Sequence, residues 1–228
     1  MGEREFTTGR IRAIECLKEG FALIRDEYWV LFAVSLVGML VAAVSFYVLI
    51  GAMVCGIFKA YLRKIDGGRV RFEDLWTGFR YFIPSRLPTL LIVVPIVVWV
   101  LVLVVTMYIP LVIQLTAGGS TVNEDELVRS FVMVFIIDLA VALAMVCLHS
   151  LLIFCYPLIV DKGVSGWDSI KLSARAVMRN LGGIGRMVGV NFLLVLAGAM
   201  AAGIGIYLIM PLLTAANLVA YRKVFPNG

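Results

Sequence analysis

A chain of 228 residues, 62% of them apolar and 15% charged, with a mean hydropathy of +1.01, is too apolar for a soluble globular protein. Its uncharged runs exceed the roughly 20 residues that a membrane-spanning helix needs, and they are continuous rather than alternating, which excludes a β-barrel. The net charge of +5 has no soluble surface on which to bind nucleic acid. The expectation is an all-α integral membrane protein, a single membrane domain over 1–228.

The opening stretch, MGEREFTTGRIRAIECLKEG, is too acidic for the start of a signal peptide, and Phe6 stands where a myristoylation signal needs Ser or Thr. Over residues 10–28, Ile11, Ile14, Leu17, Phe21, Ile24 and Tyr28 recur at helical spacing, which predicts an amphipathic helix in the membrane interface. Residues 29–58 are then uncharged, about 45 Å of helix against a hydrocarbon core of about 30 Å. A second interfacial helix is predicted over 72–82, with Phe72, Leu75, Trp76, Phe79 and Phe82 on one face. Segments 87–113 and 127–157 are predicted transmembrane helices. A third interfacial helix, 165–180, carries Trp167, Ile170, Ala174, Val177, Met178 and Leu181, and Ser165 with Asp168 forms a capping box at its start. The last uncharged run, 187–221, is again too long for one crossing, about 52 Å.

Charge decides how these runs cross. If 29–62 and 183–224 are hairpins, nineteen of the twenty Lys and Arg residues share one side, Arg129 alone excepted. If each run crosses once, the split is eight against twelve. The positive-inside bias therefore predicts six transmembrane or re-entrant helices in three hairpins, with both termini cytoplasmic. Gly51 and Pro211 stand ten residues before Tyr61 and Tyr221, and these matched helix breakers suggest that the first and last hairpins are built alike.

The charged side carries nineteen bases and eleven acids; the opposite loop, TAGGSTVNEDELVRS, carries three acids and one base. Arg63, Lys64, Arg69, Arg71, Lys171, Arg175 and Arg179 are candidates for anionic lipid headgroups. They serve equally as topology signals. Small residues at four-residue spacing mark candidate helix-packing faces. These are Ala52, Gly56 and Ala60 in the first hairpin, Gly185 with Gly189, and Ala197, Ala201 and Gly205 in the last. The face can serve packing within the chain or an interface with a partner or a second copy.

Inside SFVMVFIIDLAVALAMVCLHSLLIF, eleven residues separate Asp138 from His149, which puts both on one stripe of a helix. An intramembrane carboxyl is costly and should face the bundle interior. With no cation at its depth it is expected to be neutral and hydrogen-bonded, as interhelical glue, with Asn191, Asn217, Thr214 or Gln114 available as partners. The alternative is a proton or ion relay through Asp138 and His149. His149 is the only histidine, and Cys16, Cys55, Cys147 and Cys155 form no CxxC pair, so no metal site is expected. There is no G-x-S-x-G elbow and no phosphate-binding glycine loop between strand and helix, so neither an enzyme nor a cofactor is expected.

Three segments carry a family likeness: IGAMVCGIFKAYLRKIDGGRVRFEDLWTGFRYF, YPLIVDKGVSGWDSIKLSARAVMRN and PLLTAANLVAYRKVF. Together they resemble a superfamily of uncharacterised prokaryotic membrane proteins that includes the membrane domain of some glycerophosphodiester phosphodiesterases. The elements are Gly56 to Lys64, Asp74 to Phe79, Pro157 to Asp161, and Ala220 to Arg222. Where the family has a Gly-Pro-Leu type of break, this chain has Gly51-Ala52-Met53. The family's catalytic domain has no counterpart here, so the resemblance implies a topology and a prokaryotic inner membrane, not a hydrolase. The expected role is a non-enzymatic component that organises a partner protein or lipid. A small transporter or lipid-handling protein with a polar site at Asp138 is the alternative.

Overall fold

The computed structural model describes residues 6–9, 11–116, 124–200 and 204–226, and every regular element in them is helical. In chain order these are α1 (Ala13–Ile24), α2 (Tyr28–Val44), α3 (Ile50–Ile65), α4 (Asp74–Thr77) with a 3-10 turn (Gly78–Tyr81), and α5 (Phe82–Leu103). A π-turn (Val104–Tyr108) leads into α6 (Ile109–Thr116). Then come α7 (Glu124–Leu151), α8 (Cys155–Lys162), α9 (Gly166–Met178), α10 (Leu181–Met200) and α11 (Ile204–Val224). Where composition reads as one unit, the packing divides the chain in two: residues 1–89 with 150–228, and residues 90–149.

Four helices among the described residues are long and apolar enough to cross a membrane: Asp74–Ile113, Phe131–Lys162, Leu181–Met200 and Gly205–Val224. The pair α1 and α2 would make a fifth, but it bends by 100° at its junction. The first hairpin differs from a pair of full crossings. Its helices α2 and α3 have 17 and 16 residues, about 26 and 24 Å, short of a hydrocarbon core of about 30 Å. They turn back through 45–49, where Phe46 and Tyr47 take left-handed backbone angles of φ 50° and 62°. Such angles cost a bulky residue on the order of 1 kcal/mol. The side chains at this tip, Val44, Phe46, Tyr47 and Val48, are all exposed and apolar.

In the larger unit, α11 is the hub, packing on α1, α2, α3 and α10. Its core holds Tyr61, Tyr221, Phe154, Phe225, Leu158 and Met187, all fully buried. Buried hydroxyls are satisfied locally. Ser35 donates to the Leu31 carbonyl at 2.8 Å and shares a 3.0 Å hydrogen bond with the Tyr61 hydroxyl. The chain ends meet here: the Thr7 amide donates to the Val224 carbonyl at 2.8 Å, and the Thr7 hydroxyl donates to the Lys223 carbonyl. Asn180 holds the same segment, accepting from the Gly9 amide at 2.8 Å and donating to the Thr7 carbonyl at 3.2 Å.

Two glycines set the closest contact in this unit. A methyl group on Gly56 would land on the Leu75 carbonyl, and one on Gly78 would land on the Ala52 carbonyl, 2.7 Å from the Gly56 amide. Helix α3 and the α4 turn thus touch backbone to backbone, and only glycine leaves room.

The faces of the three amphipathic segments require a correction. In α1 the buried residues are Ala13, Cys16, Gly20 and Ile24, while Ile14 and Phe21 are exposed. In α9 they are Gly166, Ser169, Ser173, Ala176 and Val177, with Trp167 and Met178 outward. The segment 72–82 is not one α-helix but α4 and a 3-10 turn running into α5; it buries Asp74, Leu75 and Gly78 and exposes Phe72, Trp76 and Phe79. On α1 and α9 most of the residues facing the protein are small, joined by Ile24 and Val177, while several of the largest apolar side chains face out. In a membrane protein this is the expected division, because close helix approach needs small side chains and lipid solvates large ones.

The smaller unit, 90–149, has the opposite character. Its helices expose Val97, Leu101, Ile113, Phe135, Ile136 and Leu143 among many others, so its surface is hydrocarbon nearly all round, as for helices solvated by lipid. Within it, His149 Nε2 lies 3.2 Å from the Ile92 carbonyl, a bridge from α7 to α5.

Candidate functional site

The polar groups that the larger unit brings together form an ionic cluster across three elements. Asp66 closes α3, Asp161 lies near the end of α8, and Arg222 lies near the end of α11. Arg222 donates to the two carboxylate oxygens of Asp66 at 3.0 and 2.6 Å and to Asp161 at 2.7 Å; Tyr221 adds a second donor to Asp161 at 2.7 Å. A planar guanidinium suits this forked arrangement, which a lysine could not reproduce. Close by in sequence, Arg63 of α3 donates to the buried carboxylate of Asp74 at 2.8 Å. Lys64 reaches Asp26 at 2.6 Å and Glu27 at 3.8 Å, and Lys223 reaches Glu19 at 2.8 Å. These pairs lock α1, α3, α4, α8 and α11 together.

Sequence reading missed Asp66, Tyr221 and Arg222 as a cluster, although Asp161 and Arg222 end two of the quoted motifs. The four motif elements meet in pairs: Gly56 and Arg63 against Asp74 and Gly78, and Asp161 against Tyr221 and Arg222.

The headgroup candidates need correction accordingly. Arg63 and Lys64 are internal ion-pair partners. Arg71 lies 3.7 Å from Glu73, Lys171 lies 3.3 Å from Asp168 and over the Trp167 ring, and Arg179 sits over the Phe6 ring. Arg175 is partnered as well. Of the seven, only Arg69 forms no ion pair, hydrogen bond or ring contact among the described residues. Two cations outside that set, Lys18 and Arg186, border a groove of about 860 Å³ between α1 and α10.

The small-residue positions divide. Ala52, Gly56 and Ala60 are buried, as a packing face should be. Gly185 and Gly189 meet nothing, and Ala197 is exposed. The close approach of α10 to α11 runs instead through Gly198 against Gly205, where an added methyl would come within 3.0 Å of backbone. Ala201 lies outside the described residues.

The intramembrane polar residues are also rearranged. Asn191 donates to Asn217 at 3.0 Å, joining α10 to α11. Asn191 Oδ1 is buried and accepts no hydrogen bond among the described residues. His149 is bridged to the Ile92 carbonyl. Asp138, at the middle of α7, forms no hydrogen bond or ion pair among the described residues. Thr214 bonds back to its own helix at the Met210 carbonyl, and the side chain of Gln114 lies outside the described set. No group of three or more His, Cys, Asp or Glu residues able to hold a metal occurs among the described residues.

Four helices among the described residues, long and apolar enough to span a bilayer, mark a multi-pass membrane protein, and no family model, curated protein or solved structure matches the chain.

Proposed function

We propose that the chain is a non-enzymatic component of a prokaryotic cytoplasmic membrane that organises lipid or a partner protein at the membrane surface. The observation that carries this reading is the exposed apolar face of each amphipathic segment: Ile14 and Phe21 on α1, Trp76 with Phe79 at α4 and the turn after it, and Trp167 and Met178 on α9. Helices built in this way suit the interface, with their large side chains at headgroup depth. The acids and bases gathered between the helices are engaged with one another as structural ties, which suits a rigid platform better than a reaction centre. The bond from Thr7 to Val224 supports placing both chain ends on one side, and the short first hairpin supports a re-entrant rather than a crossing pair. The likeness to the membrane domain of phosphodiesterases is the ground for the prokaryotic assignment.

Native mass spectrometry of the protein, extracted gently from its own membrane, tests this reading. A stoichiometric protein companion or a retained lipid is expected; a bare protein would overturn it.

A second reading is favoured by one observation: Asp138, midway along the apolar helix α7, forms no hydrogen bond or ion pair among the described residues. A carboxyl left without a partner in hydrocarbon is by default a candidate ion or proton site. Under that reading the protein is a small transporter, and Asp138→Asn abolishes a pH-dependent flux in liposomes without altering stability. Unchanged flux, or none in the wild type, removes it.

A further inference from the structure

Helices α1 and α10 pack on each other in the larger unit. At the start of α10, a methyl on Gly183 would meet Ile11, just ahead of α1, at 2.7 Å, while one on Gly189, six residues further along and in the lining of a groove, would meet nothing within 4 Å. The space between them is the groove of about 860 Å³, within the range of small-molecule sites and open on one side.

Its lining changes character along its length. Arg12, Lys18 and Arg186 stand at its charged end, with Glu15 the one acid there. Arg12 holds Glu15 at 2.8 Å, so that pair is self-neutralised. Lys18 and Arg186 form no ion pair or side-chain hydrogen bond among the described residues, although Lys18 also feels the Glu15 carboxylate; with three bases to one acid, the lining keeps an excess of two positive charges. Arg186 is also the last charge before the uncharged run 187–221. Phe192 and Leu193, both exposed, lie six and seven residues beyond it, about 10 Å further along the helix axis. A cationic mouth, an uncrowded glycine floor and an apolar exit follow one another in the direction in which α10 enters the hydrocarbon.

From this sequence of surfaces we infer that the groove binds an anionic phospholipid. The phosphate lies between Lys18 and Arg186, the glycerol region lies over Gly189, and an acyl chain runs out along Phe192 and Leu193. A zwitterionic lipid would place its own cation against those two side chains and is disfavoured. The proposal deepens the reading of the chain as a lipid-organising component and rests on it. It places the lipid at residues other than the seven bases that composition suggests.

The test uses the full chain in mild detergent, given equimolar phosphatidylglycerol and phosphatidylcholine and read by native mass spectrometry. The wild type is expected to retain one phosphatidylglycerol in preference. Replacing both bases, Lys18→Gln with Arg186→Gln, is expected to weaken that retention about thirty-fold, from about 1 kcal/mol per basic residue at the surface and tenfold per about 1.4 kcal/mol. A Cβ at Gly189 meets no atom within 4 Å, so Gly189→Trp puts an indole on the floor of the groove and is expected to release the lipid while circular dichroism and the melting temperature stay unchanged. Where the charge variant does not fold, Gly189→Trp decides alone. Phosphatidylglycerol still held equally by both variants would overturn the groove yet leave the wider reading standing. A wild type that prefers neither lipid and carries no companion would overturn both.

Discussion

Gly56 and Gly185 are the same residue type in two helices, and the structure separates them. The Gly56 methylene faces the Leu75 carbonyl with no room for a methyl, whereas Gly185 faces open space. Gly56→Ala must push α3 off the α4 turn and is expected to cost about 3 kcal/mol, at the upper end for overpacking. Gly185→Ala removes only the backbone freedom of a helical glycine and is expected to be neutral or to stabilise by about 0.5–1 kcal/mol. Denaturation in mixed micelles, monitored by helical circular dichroism, distinguishes them; equal effects would show that the backbone contact is absent. Asp138 supplies a second test at this scale. If it were interhelical glue, Asp138→Leu would destabilise the fold. With no described partner, and an insertion cost of about 2.5–3.5 kcal/mol for Asp at a helix centre, Asp138→Leu is expected to leave stability unchanged or raised. A lowered melting temperature would restore the glue.

Among the elements, α9 begins as its sequence predicts. Ser165 accepts from the Asp168 amide at 3.1 Å and donates to its carboxylate at 2.7 Å. Ser165→Ala is expected to cost about 1 kcal/mol. The Ser165 hydroxyl, and next Lys171, hold the Asp168 carboxyl below its ordinary range. A depressed carboxyl contributes stability above its unfolded value, about 3.9, and loses that contribution as pH falls through the lower folded value. The gap in melting temperature between wild type and Asp168→Asn should therefore be open at neutral pH and close in acid; a gap independent of pH would count against the cap. This start was legible because a cap is local, three residues wide. The inward faces of α1, α4 and α9 were not, since a search for large apolar side chains finds the lipid side of a membrane helix. On α1 and α9 small residues carry most of the protein side, where they allow close approach. The cluster at Arg222 was hidden for a different reason: its partner Asp66 is 156 residues away, and no periodicity reports such a contact.

For the molecule as a whole, membrane class was written in uncharged run lengths, and the division into two units was not. That division depends on which helices pack, and the run 90–149 looks no different in composition from the runs that do. Sidedness is testable at this scale. With Thr7 bonded to Val224, reporters fused at either end should agree: green fluorescent protein fluorescent and alkaline phosphatase inactive at both. Opposite signals from the two ends would break the pairing. The same pairing has a consequence in time. The larger unit joins two stretches far apart in sequence, so α1 has its main packing partner in α11, made about 180 residues later. At about 5–20 residues per second of synthesis, α1 waits on the order of 10–40 s before that surface exists. In that interval the inward face of Ala13, Cys16 and Gly20 is without its α11 cover. The docking of α11 onto α1 can therefore follow only after everything between them has been made.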